Sequence, residues 1–276
     1  MPRCGLIGAG IGTSLSPALH EAEGRHHGLD LTYTLIDVDG SADLGELLDR
    51  AEAEGFAGLN ITYPFKQRAA TLLGRLSPQA RAIGAVNTIV LRDGRRTGHN
   101  TDAPGFAEAF HLSLPDVEIE RIVLLGAGGA GAACAHALLD LGVGHLTVVD
   151  PDADRRGALG EALTARFDAD RIALAAPETL SLRDADGLVN ASPVGMASHP
   201  GLPLPVDLLH DGLWINDVIY MPVDTDLLIA ARARGLRAVG GAAMCVFQAA
   251  AAFELFTGRT PDTSRMLRHL EELLKP

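Results

Sequence analysis

One stretch constrains the fold more than any other: Arg121 to Asp150, RIVLLGAGGAGAACAHALLDLGVGHLTVVD. An apolar run of strand length, Ile122 to Leu125, breaks into Gly126-Ala127-Gly128-Gly129-Ala130-Gly131, a complete G-x-G-x-x-G. Each glycine has its own task in such a turn. Gly126 permits the tight turn, Gly128 lets backbone approach a pyrophosphate with no Cβ in the way, and Gly131 lets the next helix lie close to the strand. The alanine-rich segment Ala132 to Leu141 reads as that helix, its amino end facing phosphate, and it stops near Gly142. A second strand, His145 to Val149, ends in Asp150, roughly 20 residues on, where a carboxylate accepts hydrogen bonds from ribose hydroxyls and repels a 2′-phosphate. Strand, glycines, helix, strand and acid in register predict a dinucleotide site. The alternative is a flavodoxin-like βαβ unit whose glycines only tighten a turn.

A chain of 276 residues is expected to form one large or two modest domains, with core enough to fold without staples. Its formal charge of −12 argues against nucleic acid and anionic membranes as partners, because a phosphate surface would be repelled. Cys4, Cys134 and Cys245 lie far apart among small or apolar neighbours and are expected to be buried free thiols. The histidines include the pair His26-His27 but no H-x-x-x-H, so no metal site is expected. Met1-Pro-Arg-Cys leads directly into a strand pattern, so no signal peptide is expected, and no apolar run approaches about 18 residues. The expected compartment is the reducing cytoplasm, and the expected state is a monomer or a homodimer.

The first hundred residues alternate like a separate α/β unit, with strands at Arg3–Ile7, Leu31–Ile36, Gly58–Ile61 and Val86–Leu91 and helices at Pro17–His27, Ala42–Glu54 and Pro64–Leu73. That alternation predicts a mostly parallel sheet covered by helices. A decoy sits at its start. Gly8-Ala9-Gly10-Ile11-Gly12 follows a strand and Asp37 ends the next one, but the third glycine position is Thr13 and the following residues are rich in hydroxyls. Ser16 fits a helix N-cap and Pro17 the first turn. The segment holds a small anionic or polyhydroxylated ligand, or is a plain cap, or is a second nucleotide site; the first reading is favoured. After Asp150 the alternation continues to Ala238, and the last two helices, Ala242–Phe256 and Thr263–Leu274, are too few to stand alone. They are expected to return to the first domain, leaving a cleft between a substrate domain (residues 1–103 with 241–276) and a Rossmann-type doubly wound dinucleotide domain (residues 104–240).

Three polar stretches stand out beyond the glycine loop. Asn60-Ile-Thr-Tyr-Pro-Phe-Lys66 puts Lys66 at the start of a helix, where the dipole disfavours a cation. Gly84-Ala-Val-Asn87-Thr88 puts an amide beside a strand, and Asn100-Thr-Asp102 puts a carboxylate ahead of a helix, where capping is the plain explanation. Taken singly, each is as well explained by structure as by chemistry.

Together with Ser14-Leu-Ser16-Pro17, the glycine loop, Asn190-Ala-Ser192, Asp217-Val-Ile-Tyr220 and the segment at Gln248, they resemble the shikimate dehydrogenase family along nearly the whole chain. The resemblance implies reversible hydride transfer between shikimate and 3-dehydroshikimate, with Lys66 and Asp102 as the catalytic pair. It also implies that Ser14 and Ser16 hold the substrate carboxylate, that Thr62, Asn87 and Gln248 bind ring hydroxyls, and that Tyr220 lines the pocket. For the cofactor it implies Gly126, Ala127, Gly128, Gly129, Ala130, Asp150, Arg155, Ser192, Val218 and Gly241. Removing hydride from an alcohol requires the hydroxyl proton to leave, and Lys66 is the group expected to move it.

Many NADP-using members carry an Asn-Arg-Thr type segment where this chain has Asp150-Pro151-Asp152, so the arginine that grips a 2′-phosphate is missing. Arg155 and Arg156 follow a helical turn later and either face solvent or reach a phosphate. NAD is therefore expected over NADP, which with the tail from Phe256 to Met266 looks like the quinate/shikimate branch. Ser16 is serine as in shikimate-preferring members, making shikimate the expected substrate and quinate a second. A non-catalytic nucleotide sensor would have no reason to keep both Lys66 and Asp102.

Overall fold

The computed structural model describes residues 1–275. The chain divides into two compact units, one formed by Met1–Gly105 with Val246–Pro276 and the other by Phe106–Cys245. The first runs β1 (Arg3–Gly8), α1 (Ser16–His26), β2 (Thr32–Asp37), α2 (Leu44–Ala53), β3 (Phe56–Ile61), α3 (Lys66–Leu72), β4 (Arg75–Leu76), α4 (Pro78–Ile83), β5 (Thr88–Arg92) and β6 (Arg95–His99). Helix α5 (Asp102–Ser113) leads into the second unit: β7 (Arg121–Leu125), α6 (Gly129–Asp140), β8 (His145–Val149), α7 (Ala153–Thr164), β9 (Ile172–Ala175), β10 (Gly187–Asn190), β11 (Trp214–Asp217), α8 (Asp226–Ala233) and β12 (Ala238–Val239). Helices α9 (Ala242–Thr257) and α10 (Thr263–Leu273) complete the chain.

The first sheet has the order β2-β1-β3-β5-β6-β4. Strand β1 shows why it is covered on both faces. Cys4 and Leu6 pack with Tyr33, Phe253 and Phe256 on one side, while Ile7 packs with Leu44, Leu48 and Phe65 on the other, the alternation a strand imposes. Helix α9 thus supplies core to the sheet that opens the chain.

The sheet is mostly parallel, as expected, through β2-β1-β3 and the β6-β4 pair, and the exception is β5. Strand β5 runs antiparallel to both β3 and β6, and β5 and β6 form a hairpin. Its turn residues, Asp93 and Gly94, both have positive φ, 52° and 64°, as a two-residue turn of type I′ demands. The expected N-cap at Ser16 is also corrected. Leu15 occupies that place without a side-chain cap and Ser16 is already helical, because the Ser16 amide is taken by Ser14 Oγ at 3.3 Å.

The second sheet has the order β12-β11-β10-β7-β8-β9, and every neighbouring pair is parallel. Chain order reverses between β7 and β10. In an open α/β sheet a ligand binds outside the carboxyl ends of the strands at such a reversal. Val123, Leu125, Leu188, Ile215, Leu227 and Leu228 form its core.

Candidate active site

In the first unit, topology gathers the polar motifs at one sheet edge. Thr62 and Lys66 follow β3, Asp102 follows β6, and Asn87 immediately precedes the antiparallel β5, so all lie at the same end of the strands. Lys66 opens α3 and Asp102 opens α5. The Lys66 ammonium donates to Asp102 Oδ2 at 2.7 Å, with side chains 15% and 6% exposed, a short charge-assisted contact largely removed from water. A lysine at a helix amino end, disfavoured by the dipole, is held by this carboxylate.

Capping does not occupy Asp102. Asn100 accepts from the Ala103 amide at 3.1 Å and donates to Ala85 O at 3.0 Å, which leaves the Asp102 carboxylate for side chains. Asn87 Nδ2 donates to Asp102 Oδ1 and to Thr101 Oγ1, both at 2.9 Å, and lies 3.5 Å from Gln248 Oε1 on α9. Lys66, Asp102, Asn87 and Gln248 therefore form one connected group. Ser14 and Ser16 form another: Ser14 Oγ donates to Ser16 Oγ at 3.2 Å where α1 begins. Thr62 stands against the end of β1, where a Cβ on Gly8 would fall 2.3 Å from its methyl.

The amino-terminal decoy is closed by its own acid. Asp37 accepts from the amides of Gly10 at 2.8 Å and Ile11 at 3.1 Å, and α1 does not begin until Ser16, so no helix amino end stands directly behind the glycines.

The glycine loop of the second unit is built differently, since α6 starts within it at Gly129. Gly126 has φ of 100°, and a Cβ there would press on Ala191 and on Ser192 N at 2.8–2.9 Å. A Cβ on Gly131 would lie 1.9 Å from Gly126 O. At Gly128 a Cβ would meet nothing within 4 Å, so its glycine is required by no contact inside the protein. Open space there, with helix amides at Gly129 and Ala130, fits a pyrophosphate.

Asp150, 4% exposed, accepts from the amides of Ala127 at 2.7 Å and Asp152 at 2.9 Å. Arg155, whose side chain is 41% exposed, reaches back to the acid that precedes its helix. Its guanidinium lies on Asp150 Oδ1 at 2.9 Å, because Asp152 caps α7 through the Arg155 amide and sets the side chain beside the buried acid. Arg156 donates to the Asp150 carbonyl.

Behind the remaining cofactor candidates is a buried link that sequence reading passed over. Asn190 donates to Asp217 Oδ1 at 3.1 Å, and its own Oδ1 accepts from Ser192 Oγ at 2.7 Å and Ser192 N at 3.2 Å. Asp217 also accepts from Thr225 Oγ1 at 2.7 Å and the Ile219 amide at 3.1 Å; burial pushes its carboxyl up to about 6. Gly241 N donates to Ile219 O at 3.0 Å, and a Cβ on Gly241 would fall 2.0 Å from Val218 O. Ser192 is thus beside Gly126, Val218 beside Gly241, and Tyr220 follows on the same loop. The signal was present in the sequence: polar residues ending strands that are otherwise apolar must find buried partners.

The three cysteines are buried and form no disulfide. Among the described residues no group of three or more His, Cys, Asp or Glu side chains has metal-binding geometry, and no helix is long and apolar enough to cross a membrane.

Two family models match, one for the shikimate dehydrogenase substrate binding domain over residues 6–89 and one for the shikimate 5′-dehydrogenase C-terminal domain over residues 241–271. The chain is 56% identical over 275 residues to a shikimate dehydrogenase (NADP(+)) of Streptomyces avermitilis, covering 98% of this chain and 94% of that one. It is 45% identical over 271 residues to a quinate/shikimate dehydrogenase (NAD(+)) of Corynebacterium glutamicum, covering 95% of each. Among solved structures, quinate dehydrogenase from Corynebacterium glutamicum in complex with NAD superposes with a TM-score of 0.88 at 42% identity, covering 98% of this chain and 99% of that one. Similarity of this extent, over both units, establishes that the chain belongs to the shikimate dehydrogenase family.

Proposed function

We propose that this protein is a nicotinamide-dependent dehydrogenase that interconverts shikimate and 3-dehydroshikimate, with NAD as its preferred cofactor and quinate as a second substrate. The observation that carries the reading is the Lys66–Asp102 contact, with Asn87 on the other carboxylate oxygen. A bound nicotinamide supplies the hydride acceptor. What the chain must supply is a proton path at the reacting oxygen, and Lys66 is the group for it, held in place by Asp102.

Thr62, Asn87 and Gln248 are assigned to ring hydroxyls and Tyr220 to the pocket wall; Ser14 and Ser16 are assigned to the substrate carboxylate. No arginine belongs to that last motif, so hydroxyl hydrogen bonds and a helix amino end supply the attraction. Replacing both serines by alanine is expected to raise KM for shikimate by about tenfold to a hundredfold, one or two charge-assisted hydrogen bonds' worth, with kcat changed far less. An unchanged KM would move the carboxylate site elsewhere. The assay that tests the whole reading is reduction of NAD followed by absorbance with shikimate, then quinate; no turnover with either refutes it.

The NAD preference rests on Asp150, a buried carboxylate held by two backbone amides that would oppose a 2′-phosphate. A second reading is favoured by a specific contact: Arg155 lies on that carboxylate and offsets its charge, and a relative at 56% identity is named for NADP(+). Comparing kcat/KM for the two cofactors decides between them. The expected result is about tenfold or more in favour of NAD, an effect of about 1.4 kcal/mol. A preference for NADP that disappears in Arg155→Ala would assign the 2′-phosphate to that guanidinium instead.

A further inference from the structure

The Lys66–Asp102 pair is the end of a longer buried run. Asn60 lies on β3 between Leu59 and Ile61, which pack on one face of the first sheet, so its side chain takes the other face, the one lined by Cys4, Leu6 and Tyr33. There Tyr33 Oη donates to Asn60 Oδ1 at 2.7 Å. Asn60 Nδ2 donates to the Asn87 carbonyl at 3.2 Å and to Thr88 Oγ1 at 3.0 Å. Thr88 Oγ1 donates in turn to Asn87 Oδ1 at 3.0 Å, and Asn87 Nδ2 donates to Asp102.

The direction of the two amide links is fixed by groups that can act in only one way, and the Thr88 hydroxyl, which accepts from Asn60, has Asn87 Oδ1 at 3.0 Å as its nearer acceptor and Thr101 Oγ1 at 3.3 Å as the farther. Asp102 as a carboxylate only accepts, and the Thr101 amide, 2.7 Å from Asn87 Oδ1, only donates. A flipped Asn87 would set oxygen against oxygen and N–H against N–H. The Asn87 carbonyl only accepts, which fixes Asn60 with its oxygen turned to Tyr33. With the Thr88 proton on its nearer acceptor, one donor of each of Tyr33, Asn60, Thr88 and Asn87 leads to the next residue and finally to Asp102, the arrangement in which successive hydrogen bonds polarise one another. The outer end is sealed as well: the His20 ring, 1% exposed, stacks on Tyr33 with centroids 4.6 Å apart and planes 20° apart. Burial pushes His20 down to about 3, so no cation opposes the run at neutral pH.

We propose that Tyr33, Asn60 and Thr88 form a positioning relay that locks the Asn87 amide in the orientation donating to Asp102 and so holds the Lys66–Asp102 pair ready for proton transfer. The proposal rests on Lys66 being the catalytic group. Tyr33, Asn60 and Thr88 are positioning residues, acting through Asn87, and their loss is expected to slow turnover without weakening binding.

The test compares kcat and KM for shikimate and for NAD in Tyr33→Phe, Thr88→Val, Thr88→Ser and, as reference, Lys66→Ala. Thr88→Val removes the central hydroxyl and is expected to lower kcat by about tenfold, and Tyr33→Phe by about threefold to tenfold, each with both KM values within about twofold. Thr88→Ser keeps a hydroxyl and is expected to recover most of the wild-type kcat, which a loss through packing alone would not permit. Wild-type kcat in both Tyr33→Phe and Thr88→Val, with Lys66→Ala inactive, overturns the relay and leaves the catalytic pair intact. Thr88→Ser as slow as Thr88→Val also overturns it. Wild-type turnover in Lys66→Ala overturns the reading of the pair itself, and the relay with it.

Discussion

Replacing Lys66 by alanine is expected to lower kcat for shikimate oxidation by about two to four orders of magnitude, the range for losing a positioned proton-transfer group. KM should move little, because the variant keeps Ser14, Ser16, Asn87 and Gln248. The loss is expected to be catalytic rather than a collapse of the unit. Asp102 retains the Asn87 amide at 2.9 Å, and the 15% exposure of Lys66 gives water a route to the vacated oxygen. A thermal melt beside the kinetic assay separates the two effects. A variant that keeps wild-type turnover would remove Lys66 from the mechanism, and an inactive variant that no longer melts cooperatively would leave the question to Lys66→Met, which preserves the stem. Asp102→Asn should also be slow, since it keeps the volume but discards the charge facing the ammonium.

The next largest effect is expected at the glycine loop, where substitutions at Gly131 and Gly128 should both weaken cofactor binding but only the first should lower stability. Gly131→Ala puts a methyl 1.9 Å from the Gly126 carbonyl, backbone that can retreat only by moving β7 or α6. Overpacking of this kind costs about 1–3 kcal/mol, a fall of several degrees in Tm for a chain of this size. The displaced loop should also raise KM for NAD by about tenfold or more. At Gly128 the added methyl enters open space, so Gly128→Ala should melt with the wild type yet bind cofactor more weakly. Wild-type cofactor KM in Gly128→Ala would mean that no pyrophosphate approaches that point.

How much of this was legible in the sequence differs from element to element. The second unit was readable because a strand, a glycine turn, a helix and an acid are all local signals; β8 was placed at His145–Val149, where the structure has it. The first unit was readable in α1, α2 and α3 and in its inner strands, but not in the short β4 and α4 or in its hairpin. The Asp93-Gly94 dipeptide was the available sign, yet the flanking arginines hid the alternation that marks a strand. Strands β9 and β12 escaped because short edge strands bury too little to leave a pattern. For the chemistry, Lys66 and Asp102 were conspicuous only as a lysine where a helix disfavours one and an acid where a cap would do. That Asn100 takes the capping role, leaving Asp102 to Lys66, depends on contacts between residues far apart in the chain. Arg155 was likewise undecidable, because its direction is set by the cap at Asp152 and by how deeply Asp150 is buried. Tyr33 and Thr88 left even less trace: a tyrosine and a threonine are ordinary in strands, and only their shared face with Asn60 makes them a set.

The discontinuity of the first unit has a consequence for synthesis. As the polypeptide leaves the ribosome, residues 106–245 can complete their sheet without waiting for any later segment. The sheet that emerges earlier cannot, because Phe253 and Phe256, which cover its face at Cys4, Leu6 and Tyr33, are translated about 150 residues after its last strand. For that interval the older half carries an uncovered apolar surface while the younger half matures, so it is the amino-terminal unit that a chaperone would be called on to shield.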